Sequence, residues 1–172
     1  MTTAAIDWTQ APVEDLVSHI VGEHHEYLRR AMPRITSLLA EAWTRESGPP
    51  AAPLAALESL WQPFVDEMNG HLWKEEMILF PAVRAMACGA GEATSHCGGV
   101  QNPIRVMLME HDSADSALRA MRRVTGGFTL PAGCGESVAA LYRALEELES
   151  DVYAHIRKEN EILFPRALGM QE

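Results

Sequence analysis

Two stretches of the chain repeat one another: HLWKEEMILFP at residues 71–81 and HIRKENEILFP at residues 155–165. Both carry His, Lys, Glu, Ile, Leu, Phe and Pro at matching positions. In each, His and Glu stand four apart (His71 and Glu75, His155 and Glu159), so on a helix they lie one turn apart on one face. That face is the apolar one. The stripe Leu57, Leu60, Phe64, Met68 runs into His71 and Glu75, then Ile78 or Leu79. The stripe Leu141, Leu145, Leu148, Val152 runs into His155 and Glu159, then Ile162 or Leu163. His111 falls in a third stripe with Ile104, Leu108, Asp115 and Leu118, and His25 in a fourth with Val17, Val21, Leu28, Met32, Ile35 and Leu39. Burying such a group without a partner costs roughly 2–7 kcal/mol, and an isolated carboxylate far more. A domain is stable by only about 5–15 kcal/mol. Six inward donors must therefore neutralise one another, meet water or bind a cation.

Four imidazoles and two carboxylates suit iron, with manganese a possible occupant and zinc less suited. One ion cannot use donors spread over two His-x-x-x-Glu turns. Two ions can, with Glu75 and Glu159 bridging, two histidines on each metal and an open position for a small ligand. The residual positive charge favours an oxide or hydroxide bridge.

Other polar residues have plainer readings. His24 and His25 are adjacent, about 100° apart around a helix, so only one can face the axis squarely. His25 fits its stripe; His24 fits a rival one through Ile20, Tyr27 and Ala31. Asp115, one turn after His111, is a ligand or, more in keeping with such sites, a carboxylate that orients an imidazole from outside; His24 is a candidate for the same outer role. Lys74 and Lys158 read as solvated partners of nearby carboxylates. His19 and His96 lack a stripe and read as surface. Cys88, His96 and Cys97 do not have zinc spacing, and the three cysteines read as plain loop thiols.

Four long helical patterns must position these groups, and no alternating strand pattern is evident. The first is expected over residues 12–42, kinked at Pro33. The second covers 54–80, ending or bending where Pro81 disfavours α geometry at Phe80. The third opens at Asn102 and Pro103, a cap followed by proline at the first position, and ends in the Gly-rich segment 125–135. The fourth covers 136–164. Segments 46–53 and 88–99 read as loops. Short breaks between long helices predict an all-α, up-down-up-down antiparallel four-helix bundle over residues 12–172, after a flexible N-terminus at 1–11.

Composition narrows the function. The chain has 172 residues, 47% apolar, enough for a core without staples. A net charge of −10 argues against nucleic acid and anionic membranes as partners. No signal peptide and no apolar run long enough to span a bilayer are visible, and three cysteines do not make a disulfide framework. A cytoplasmic location is expected.

At these residues the chain resembles the hemerythrin-like, or HHE cation-binding, family. The resemblance covers about residues 15–168. It is carried by the two HxxxE…ILFP segments, by EHD at 110–112 and by HHEYLRRAMPRI in the first helix. Within that family the chain is most similar to the di-iron proteins that repair iron–sulfur clusters after oxidative or nitrosative stress. The resemblance implies a four-helix bundle with a non-haem di-iron centre bridged by Glu75 and Glu159. It implies His25 and His71 on one iron and His111 and His155 on the other. His25, eight residues before Pro33, matches the pattern better than His24. Met107 stands where oxygen-carrying members use a fifth histidine, which argues against stable oxygen carriage. The implied activity is a redox-active di-iron protein or iron donor rather than a conventional enzyme, meeting O2, NO or peroxide and damaged iron–sulfur proteins. A reversible O2 or NO scavenger or sensor is the alternative, and a metal store a third reading.

Overall fold

The computed structural model describes residues 6–45, 51–89 and 99–170. His96 and Cys97 lie outside them. Among the described residues there is no strand, only helix and turn.

Four helical rods form the molecule. The first comprises α1 (Val13–His19), a π turn (Ile20–His25) and α2 (Glu26–Arg45), with helix on both sides of Pro33. The second comprises α3 (Ala51–Lys74), a π turn (Glu75–Leu79) and α4 (Phe80–Ala87). The third is α5 (Gln101–Val124). The fourth comprises α6 (Glu136–Lys158), a π turn (Glu159–Leu163) and α7 (Phe164–Gly169). Neighbouring rods run antiparallel: α1 packs against α4 and against the π turn that precedes α7, while α2 packs most extensively on α6 and α3 on α5.

Two expected helix ends differ. The second and fourth rods do not stop at Phe80 and Phe164. In each a π turn widens the helix just before the proline, and the N–H groups of Phe80 and Phe164 reach back five residues to the carbonyls of Glu75 and Glu159. Pro81 and Pro165 then sit in the first turn of a new α segment, where a missing N–H costs nothing. The third rod opens one residue before Asn102, with Val100 at the cap position and no side-chain cap bond.

The core is two apolar clusters with a polar layer between them. One gathers the start of rods one and three and the end of rods two and four: Leu16, Ile20, Ile104, Met107, Leu79, Phe80, Leu163 and Phe164 among them. The other fills the opposite half, from Leu28, Ile35, Trp61, Phe64 and Leu118 to Tyr142, Leu148 and Val152. Of the N-terminal segment expected to be flexible, residues 6–11 hold on to the bundle. Asp7 closes a turn through its carbonyl to Gln10 and Ala11, and Arg166 donates to the Trp8 carbonyl at 2.9 Å.

Candidate metal centre

The polar layer consists of His25, His71, Glu75, His111, His155 and Glu159, all buried; both carboxylates have no exposed surface. One donor atom from each of His25, Glu75, His155 and Glu159 lies within 4.8 Å of the others. The same holds for His71, Glu75, His111 and Glu159. The two carboxylates belong to both groups. The histidines pair otherwise than the resemblance implied: His25 goes with His155, and His71 with His111. The reason is which rods adjoin, since α2 lies along α6 and α3 along α5.

Outer hydrogen bonds fix which imidazole nitrogen faces inward. His25 Nδ1 donates to Glu76 Oε1 at 2.7 Å, and His71 Nδ1 to Glu110 Oε2 at 3.0 Å. His111 Nδ1 donates to the Asn160 side-chain oxygen at 2.8 Å. A carboxylate or amide oxygen can only accept, so each of these rings carries its proton on Nδ1 and presents the bare Nε2 lone pair to the centre. His71 Nε2 and His111 Nε2 then face each other at 3.2 Å. Two lone pairs at that distance repel unless a cation lies between them. Two nitrogens about 2.1 Å from one metal and at right angles around it are about 3.0 Å apart, so the spacing fits. His25 Nε2 and His155 Nε2 stand at 3.3 Å. All four oxygens of Glu75 and Glu159 are buried without a hydrogen bond. In a protein interior that calls for an ion.

Without metal the charges are forced apart. Burial and the neighbouring His155 lower His25 to about 4. Burial, with His111 beside it, lowers His71 to about 4 against the pull of Glu159. Burial and the Glu159 carboxylate hold Glu75 well above the usual carboxylate range. Burial works against ionising Glu159 too, but His155 and His111 together outweigh it and hold that group well below.

The sequence repeat becomes a pseudo-twofold arrangement. His25 answers to His111, His71 to His155 and Glu75 to Glu159. Glu76 and Asn160, one residue after the two central carboxylates, each hold an imidazole on another rod. Phe80 and Phe164 stack on His25 and His111, with ring centroids 5.7 and 5.8 Å apart. Glu110 precedes His111 as His24 precedes His25. Lys74 pairs with Glu110, and Lys158 Nζ donates to His24 Nε2 at 2.9 Å. Lys158 thus meets an imidazole rather than the carboxylate expected. Glu76, Glu110 and Asn160 escaped the sequence reading. The signal was present in the EE and EN that follow each Lys, but the reading stopped at the identical positions.

His24 lies outside the layer, with Nδ1 donating to Asp151 Oδ1 at 2.8 Å and its ring parallel to that of His155. Asp115 does not orient an imidazole. Its carboxylate accepts from Arg119 Nε at 2.8 Å and Tyr153 Oη at 2.8 Å, and the place beside His111 belongs to Asn160. The third stripe in fact runs Ile104, Met107, His111, Ala114, Leu118, which turns Leu108 and Asp115 aside. His19, expected at the surface without a partner, is half-buried and stacks on Trp8. Cys88 is exposed and Cys134 half-buried beside the core.

A cleft of roughly 480 Å³ between α3 and α5 reaches the layer from one side, where His71, His111, Lys74, Glu110, Met109 and Gly70 line it. A side chain at Gly70 would meet nothing within 4 Å, so close packing does not require the glycine. No described helix is long and apolar enough to cross a membrane.

Comparison with known proteins agrees with this geometry. The family model for the hemerythrin HHE cation binding domain matches residues 16–167. The iron-sulfur cluster repair protein YtfE of Yersinia pseudotuberculosis serotype IB (strain PB1/+) is 34% identical over 162 residues, covering 94% of this chain and 69% of that protein. The protein of the same name from Edwardsiella ictaluri (strain 93-146) is 36% identical over 166 residues, covering 95% and 69%.

Proposed function

The chain belongs to the hemerythrin HHE cation-binding family, and from that premise we propose that it holds a non-haem pair of iron ions and serves in the repair of iron–sulfur centres damaged by oxidants or nitric oxide. His25 and His155 hold one ion, His71 and His111 the other, and Glu75 and Glu159 bridge the two. The observation that carries the reading is the pair of Nε2 lone pairs facing each other at 3.2 Å beside four carboxylate oxygens without hydrogen bonds. Relatives named for iron–sulfur cluster repair support the biological setting.

When bound, the ions supply one-electron chemistry and an exchangeable coordination position. The protein does the rest. Glu76, Glu110 and Asn160 lock three imidazoles in one tautomer and one orientation. Phe80 and Phe164 close the layer on the side of the smaller apolar cluster, which keeps bulk water off the imidazoles. Four nitrogens and two anionic oxygens leave two divalent ions with net positive charge, suited to a small anionic or diatomic ligand.

A direct test mixes the iron-loaded chain, without air, with a hydro-lyase whose [4Fe–4S] cluster has been damaged by peroxide, in the presence of a ferrous chelator. The account predicts reactivation by the loaded protein and none by metal-free protein or by Glu159→Ala. Equal recovery with all three would refute the repair role. The α3–α5 cleft favours a second reading, reversible binding of NO or O2 at the ion held by His71 and His111. An adduct that persists for minutes without consuming reductant, in a protein that reactivates nothing, would establish it instead.

A further inference from the structure

The two sides of the metal layer are not alike. On the α3–α5 side, Glu110 stands next to His71 and the cleft opens beyond it. At the pseudo-equivalent place on the other side stands His24, and beyond it more rings follow. The His24 ring lies parallel to that of His155, 7° between planes and 5.5 Å between centroids. His19 meets His24 edge-on at 5.8 Å. Trp8 stacks on His19 at 4.3 Å and 23°. Trp8 and His19 are half-buried, His24 is buried and His155 has almost no exposed surface. The rings thus descend from solvent to the centre in three contacts.

This arrangement is held in place at each step. The turn at Asp7 and the Arg166 bond to the Trp8 carbonyl fix the indole. Asp151 and Lys158 hold the two nitrogens of His24 at 2.8 and 2.9 Å. Neither the bundle fold nor metal retention requires an indole stacked on a surface imidazole, because His19 and Trp8 contribute no atom to either donor group.

We propose that Trp8, His19 and His24 form an electron-entry route to the metal pair, admitting one electron at a time from a reduced carrier, such as a flavin or iron–sulfur protein, on the face opposite the cleft. This rests on the metal pair proposed above. The electron couples through the contacting π systems to His155 and the ion it holds. The carrier is oxidised by one equivalent and one ferric ion becomes ferrous. No bond between rings forms or breaks, and no proton must cross. Small ligands then use the open α3–α5 side and electrons the closed side, so reductant and oxidant need not meet.

The test uses the full chain, loaded with iron and oxidised, with iron per chain counted first for each variant. Reduction is started by a flash with photoreduced flavin bound to a carrier protein too large for the cleft, and followed by loss of ferric absorbance. Trp8→Leu and His19→Leu should each slow reduction by about tenfold or more at unchanged iron content, and the double variant no further than the slower single, because the steps are in series. Trp8→Phe and His19→Phe keep a ring and should stay close to the wild type. Trp73→Leu, an exposed indole outside the chain of rings, serves as the control and should change nothing. In metal-free protein, the Trp8 emission, taken as the difference between wild type and Trp8→Phe, should change in His19→Leu, an independent check of the stack. Unchanged rates in both Leu variants with two irons bound would overturn the route and leave the metal pair standing. Slowing accompanied by iron loss would also overturn it, as a structural effect. A wild type without two irons would instead defeat the function proposed above.

Discussion

His24 and His25 are neighbours in sequence with opposite fates. His25 points its Nε2 into the polar layer with no exposed surface, while His24 turns to Asp151 and Lys158. Replacing His25 with Ala should cost at least one bound iron per chain. His24→Ala should retain both, since it removes a ring beside His155 and no donor. Asp115→Asn should also leave the iron count unchanged and shift stability by less than about 1 kcal/mol, the usual worth of an exposed ion pair such as the one with Arg119. Iron analysis of the three purified variants decides all of these. The inward donors were legible in the sequence because a buried His or Glu inside an apolar stripe contradicts the stripe. Glu76, Glu110 and Asn160 were not, because a polar residue at the edge of a helix face looks like any solvated one until its partner on another rod is known. Asp115 shows the opposite error. A spacing of four after His111 suggested a shared face, but the buried face of α5 steps by three to Ala114.

At the scale of the helices, the α-period account fails at three π turns, each at or next to a donor. A π turn inserts one extra residue, so the apolar stripe resumes one position late. Leu79, Phe80 and Val83 are buried while Met77 and Ile78 stay exposed. The alternative Ile78 or Leu79 in the sequence reading was this ambiguity, and the structure resolves it for Leu79 and, in the second copy, Leu163. Proline was read as a terminator, a sound rule for α geometry that a widened turn circumvents. Deleting Met77 would restore the α count and rotate everything beyond it by about 100°. That should turn Phe80 off His25 and cost on the order of 3–5 kcal/mol in thermal or denaturant unfolding. Met77→Ala, at an exposed position, should stay within about 0.5 kcal/mol of wild type. Equal stability of the deletion and the substitution would show that the π turn does not set the register.

For the whole molecule, the metal-free layer ties stability to pH. His25 and His71 hold their neutral forms down to about 4 in the folded state, against about 6.5 unfolded. Between those values the unfolded chain binds two protons that the fold refuses, so stability rises with pH. Glu75 has the opposite sign: its raised value makes the fold keep a proton that the unfolded carboxylate has released above about 4.5. Two protons against one leave a net of one, or about 1.4 kcal/mol per pH unit. Metal-free protein should therefore lose roughly 3 kcal/mol between pH 6.5 and 4.5. Above pH 6.5 only Glu75 acts, and stability should decline slowly as pH approaches its folded value. Denaturant unfolding across that range checks the curve, and a flat profile would contradict it. Bound metal replaces those protons, so the loaded protein should be more stable at neutral pH, with the advantage shrinking as acid competes for the ligands. The central claim is that one layer holds two ions through two shared carboxylates. The most direct measurement is iron per chain after anaerobic loading and desalting, in the wild type and in Glu159→Ala. The account predicts two in the first and loss of both together in the second. Two irons retained by Glu159→Ala, or a wild type that carries a single zinc and no iron, would contradict it.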